Sequence, residues 1–175
     1  MTAPTRPTLL NGCAQAATAA EARFRIDRPI GGRSARVIAL DEGAAEVVHR
    51  VADLPWGGAR FLTYAGRTAP ASGNGSNTSS ADILLRAADG SGTRLSEELT
   101  DADVAIMIAT AEAGPEAASA IAQACALQGI MTAGLILGDR LEVGAAVSAL
   151  RPYARVLMVT DDEDDVPAVL TALRA

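Results

Sequence analysis

Two turns in this chain stand where phosphate-cradling glycines would be expected, and both are acidic. The first, Asp41-Glu42-Gly43, follows the apolar strand-like run Val37-Ile38-Ala39-Leu40 and precedes a helix-like run from Ala44 to Ala52. The second, Thr110-Ala111-Glu112-Ala113-Gly114-Pro115-Glu116, follows the apolar run Val104 to Ala109 and precedes another helix. A strand, a short turn and a helix make an anion pocket, because backbone N–H groups at the helix start face outward at the positive end of the dipole. The candidate crevice is therefore Asp41, Glu42, Gly43 and Ala44 together with Glu112, Ala113 and Gly114. Carboxylates oppose an anion at short range, so a phosphate ligand such as GTP would need a cation, with Mg²⁺ the natural choice, to offset Asp41, Glu42, Glu112 and Glu116. Helix capping accounts for the same acids without any ligand: they satisfy orphan N–H groups and complement the dipole. The residue types favour capping.

A third acidic run, Asp161-Asp162-Glu163-Asp164-Asp165, follows the strand-like Val156 to Val159. With that strand it resembles the opening of a response-regulator receiver domain, whose paired acids hold Mg²⁺. Asp161 and Asp162 are the candidate metal ligands on this reading. A receiver needs a phosphoacceptor Asp on a later strand, and no later strand is expected, so the topology argues for an acidic cap on a short helix with Pro167 in its first turn. His49, the single histidine, sits on a helix with no nucleophile nearby in sequence. There is no catalytic triad spacing, zinc-ligand spacing or nucleophile elbow. Cys125 falls on an apolar helix face and reads as a small buried hydrophobe. Trp56, in Pro55-Trp56-Gly57, reads as a cover over the core or as an exposed anchor for a partner, the core being favoured.

The elements that must position these residues follow from hydrophobic periodicity. Strands are expected at Arg36–Leu40, Arg60–Tyr64, Ile83–Leu85, Val104–Ala109, Ile130–Leu137 and Val156–Val159. Helices are expected at Ala44–Ala52, from Pro115 to a stop at Gly129, at Glu142–Leu150 and at Asp164–Leu173, with a turn of helix at Ser96–Leu99. Strands alternating with helices predict a doubly wound, mostly parallel sheet with helices on both faces, a Rossmann-like three-layer α/β sandwich. Residues 1–33 read as a flexible N-terminal arm, and residues 34–175 as one domain with a mobile, low-complexity loop at 66–80.

Composition narrows the function classes. The 175 residues suit one domain with a real core. The core must be built from Ala, Val, Leu and Ile, since aromatics are 3%. All 15 basic residues are Arg, and the net charge of −6 opposes non-specific binding to nucleic acid or to anionic membrane. Two cysteines, Cys13 and Cys125, make no disulfide framework. Leu10-Asn11-Gly12-Cys13 resembles a lipoprotein cleavage site only faintly, because no apolar run precedes it. A cytoplasmic location and no membrane insertion are the expectations.

With these segments in view, the chain resembles the nucleotide-binding half of the bacterial tubulin homologue FtsZ. Arg36 to Val51 is similar to that family's opening strand, glycine loop and first helix, with Val48 and Arg50 matching its Asn-Ala-Val-Asn-Arg-Met pattern and Gly43 keeping one glycine. Asp101-Ala102-Asp103-Val104 resembles the family's Gly-Ala-Asp-Met-Val lead into a strand, and Ala117 to Leu137 its following helix and strand. The Gly-Gly-Gly-Thr-Gly-Thr-Gly signature is replaced by the shorter Glu112-Ala113-Gly114-Pro115-Glu116. The resemblance implies an FtsZ-like fold. In that family the acids that complete GTP hydrolysis come from a later domain and act on a neighbouring subunit; this sequence runs to Ala175, so a self-contained GTPase is not expected.

Three function classes follow. One is a non-catalytic FtsZ-like module that binds a protein partner or itself. Another is a nucleotide- or small-ligand-binding protein, or an enzyme subunit of that kind, that uses a divalent cation at the strand-end crevice. The last is a subunit that acts only within a larger complex, its arm and loop ordering on binding.

Overall fold

A computed structural model describes residues 34–67, 83–110, 113, 115–173 and 175. The expected arm at 1–33 and the loop from 68 to 80 lie outside the described residues, as do Ala111, Glu112 and Gly114.

The chain order is β1 (Ala35–Ala39), α1 (Glu42–Ala52), β2 (Ala59–Arg67), β3 (Ile83–Ala87), β4 (Gly92–Arg94), α2 (Leu95–Leu99), β5 (Val104–Ala109), α3 (Pro115–Leu127), β6 (Met131–Leu137), α4 (Gly144–Leu150), β7 (Val156–Thr160) and α5 (Asp165–Leu173). The seven strands form one sheet in the order β4-β3-β2-β1-β5-β6-β7. The five from β2 to β7 pair in parallel, and β3 and β4 add an antiparallel edge beside β2. This is the expected Rossmann-like α/β fold.

The central strands are apolar along their whole length because both faces are covered. Every residue of β1 and β5 is buried. Alternation sends one set of side chains to each side. Ile38, Leu62, Met107 and Ile136 meet Leu95, Ile121 and Leu150 from α2, α3 and α4. Val37, Ile106, Ile108 and Leu135 meet Val47, Val48, Val166 and Leu170 from α1 and α5.

Local chemistry sets the ends of these elements. Gly129 adopts φ 71° after α3, and Ile130 N–H closes back on Cys125 O at 2.9 Å, so the orphan carbonyls at the helix end are satisfied. Burial pushes the Cys125 thiol up to about 12, which keeps it protonated and inert inside α3. Trp56 is half-buried: its ring meets Phe61 at 5.6 Å and its Nε1–H donates to Val51 O at 2.8 Å, closing the end of α1. His49 is exposed on α1.

The antiparallel edge differs from the sequence reading in two ways. Strand β2 runs on to Arg67 because a register shift between Tyr64 and Gly66 keeps the pairing with β3 alive. Strand β4 was not expected; the turn from Ala87 to Ser91 brings Gly92–Arg94 beside β3. In that turn the Ser91 hydroxyl and N–H donate to Asp89 at 2.6 and 2.8 Å and hold its carboxyl below the ordinary carboxylate range.

A buried ion pair, joined at its edge by a third charge, locks the start of β1. Glu98 of α2 is 3% exposed and accepts from Arg36 Nε at 3.1 Å, while Arg60 of β2 reaches its other oxygen at 3.2 Å. The Arg36 guanidinium also donates to Ser34 Oγ at 2.8 Å.

Candidate functional site

The parallel strands follow the order β2-β1-β5-β6-β7, so the chain leaves β1 in one direction and β5 in the other. Ligands in open α/β sheets bind outside the carboxyl ends of strands at this reversal. Here the reversal lies between β1 and β5, which pair directly, with Ala39 opposite Ile108. The residues just beyond those ends are Leu40-Asp41 and Thr110.

Asp41 fills this position with its own charge. It is the N-cap of α1, and its Oδ1 accepts from Ala44 N–H at 2.8 Å. The same oxygen accepts from Thr110 Oγ1 at 2.9 Å, and Oδ2 accepts from Thr110 N–H at 2.8 Å. Leu40 N–H to Ile108 O, at 2.9 Å, continues the ladder up to the turn. One half-buried carboxylate thus takes donors from the α1 start and from the turn after β5, where a phosphate in such a fold would take them.

Gly43 lies against the same cluster. A Cβ built there would stand 3.0 Å from Thr110 Cγ2 and 3.5 Å from Asp41 Oδ1. Close approach to the Thr110 methyl therefore accounts for this glycine. Thr110 is held by its bond to Asp41 and cannot turn aside freely. We expect G43A to destabilise the fold by about 1 kcal/mol despite the better helix propensity of alanine. Removing the methyl with T110S should recover most of that loss in the double variant, as read from urea unfolding of the four proteins of the cycle.

The other sequence-derived residues are placed as follows. Glu42 is exposed in the first turn of α1 and Ala44 is buried beneath it. Ala113 is buried against the α3 side of the core, with its N–H on Thr110 O at 3.3 Å, so it supports the turn from below. Glu116 is exposed in the first turn of α3. Glu112 and Gly114 lie outside the described residues.

Asp161 and Asp162 lie at the far end of the sheet, after β7, and both are exposed. Asp162 Oδ1 accepts from Asp164 N–H at 2.9 Å, and its backbone N–H donates to Thr160 Oγ1 at 3.1 Å. Thr160 Oγ1 also donates to Asp165 at 2.9 Å. These bonds build the turn that starts α5. Among the described residues no group of three His, Cys, Asp or Glu side chains is arranged to hold a metal ion. Glu163, in the turn before α5, pairs with Arg50 of α1 at the surface.

Thr110 is the residue whose role the sequence did not reveal. Its turn was legible, but nothing in the local pattern tied it to Asp41 across 69 positions.

No family model matches the sequence, and no curated protein does. Among solved structures, the chain is similar to a conserved hypothetical protein, BatB from Bacteroides thetaiotaomicron, with a TM-score of 0.41 and 14% identity over 79% of this chain and 95% of that one. None of the helices among the described residues is long and apolar enough to cross a membrane.

Proposed function

We propose that this chain is an FtsZ-like domain without nucleotide chemistry, acting as a protein-binding or assembly module. The observation that carries this reading is the Asp41 carboxylate on the α1 N-terminus. A phosphate entering there would meet that charge at van der Waals distance and would have to take both Thr110 donors and the Ala44 N–H from it. On this reading Asp41 disfavours a nucleoside triphosphate at the α1 N-terminus, and no hydrolytic step is assigned to the described residues. What the fold keeps is a rigid sheet that presents surfaces.

Thermal unfolding against GTP, ATP and their diphosphates, each with and without Mg²⁺, tests the proposal. A ligand at a hundredfold its dissociation constant adds about 2.7 kcal/mol to stability. We expect no nucleotide-dependent rise in the midpoint. A rise that requires GTP and Mg²⁺ together would overturn the proposal in favour of cation-assisted nucleotide binding at the same crevice.

A further inference from the structure

The two edges of the sheet are finished differently. Strand β4 is three residues long and ends in Arg94. Short length and charge are the usual means of keeping an edge from pairing with another chain. Strand β7 has neither. It reads Val156-Leu157-Met158-Val159-Thr160, with no charge, no proline and no irregularity in its register with β6. Val156 and Met158 are 39% and 41% exposed on the face that carries α1 and α5. Gly138 N–H bonds to Thr160 O at 2.9 Å, so Thr160 and, by alternation, Met158 and Val156 turn their backbone groups towards β6. Leu157 and Val159 therefore turn their N–H and C=O groups to the open side.

Charge brackets this strand with opposite signs. Arg155 precedes it and Asp161 follows it; both are exposed and neither makes an ion pair among the described residues. A strand with a cation at its start and an anion at its end is complementary to itself when antiparallel.

We propose that β7 is a self-association edge whose occupant is the β7 of a second copy of this chain, paired antiparallel about a two-fold axis at Met158. In this register Met158 faces Met158 of the second copy, Val156 faces Thr160, and Arg155 faces Asp161 at both ends. The outward-turned backbone groups of Leu157 meet those of Val159 of the second copy, so Met158 sits at the axis as a non-hydrogen-bonded pair flanked by two hydrogen-bonded pairs. Directly opposed residues share a face, so the exposed Val156 and Met158 of both copies join one apolar strip. The contact is isologous and closed, which gives a dimer with one continuous sheet. It lies at the far edge from the β1/β5 reversal, so it holds whether or not the crevice binds a nucleotide.

Sedimentation equilibrium of the full chain over a wide concentration range tests this, with circular dichroism confirming that each variant is folded. Wild type should show a monomer–dimer equilibrium. M158K sets two like charges against each other at the axis and should be monomeric. R155D places carboxylates opposite each other at both ends and should weaken the dimer by about tenfold or more, and adding D161R should restore it by reversing both partners. Wild type that stays monomeric at the highest concentration would overturn the proposal. So would a dimer that M158K leaves intact, or one in which the R155D and D161R effects simply add.

Discussion

Replacing Glu98 with alanine is expected to cost about 3–5 kcal/mol, the range for removing one partner of a buried ion pair. Arg36 is 6% exposed, and its Nε has Glu98 as its acceptor. After E98A the guanidinium keeps Ser34 Oγ and the Ala35 carbonyl but has no counter-charge. Arg60 is more than half exposed and can turn to water, so the cost comes from Arg36. Urea unfolding should show the midpoint falling with little change in slope. A double replacement, R36M with E98L, should regain most of the loss, because apolar groups of similar volume need no partner. A loss of under about 1 kcal/mol in E98A would place the pair in the class of solvent-screened surface bridges instead.

The second large effect is expected at Asp41. D41A removes the N-cap of α1, worth about 0.5–2 kcal/mol, and also removes the two bonds that Asp41 accepts from Thr110 N–H and Oγ1. Each lost bond to a charged group contributes about 1.5–3 kcal/mol where it is shielded. The site is half-buried and water can replace part of this, so a total of about 2–4 kcal/mol is expected. D41S separates the two roles. A serine hydroxyl at the cap accepts from Ala44 N–H but is too short to bridge to Thr110. D41S should therefore recover about 1 kcal/mol over D41A and no more. If D41S matches wild type, Asp41 is a cap alone and the link between the two turns contributes nothing. Either result bears on the proposed function, because that link is what holds the crevice against an anion.

Much of the architecture can be read from periodicity. Val104–Ala109 is apolar without a break because a strand covered on both faces needs nothing else, and its bounds match the observed strand. Pro115 opens α3 and Gly129 ends it for backbone reasons that act within a few residues. Elements that depend on a neighbour were less legible. Gly92-Thr93-Arg94 has no strand pattern of its own and is a strand only because β3 lies beside it. Helix α4 begins at Gly144, two residues later than its apolar spacing suggests, because Asp139 first accepts from Leu141 N–H in a separate turn.

By itself the sequence determined the layered α/β order, the apolar central strands and the acidic character of the strand-end turns. All of these depend on residue type and short spacing, through helix period, strand alternation and capping. The tertiary structure alone decided what the acids do. It brought Thr110 to Asp41 across 69 positions and Glu98 to Arg36 across 62. It also made β7 an edge strand and left Val156 and Met158 exposed there. A side chain's partner across the sheet is fixed by strand order and register, which are cooperative properties of the whole packed chain, and no local pattern encodes them.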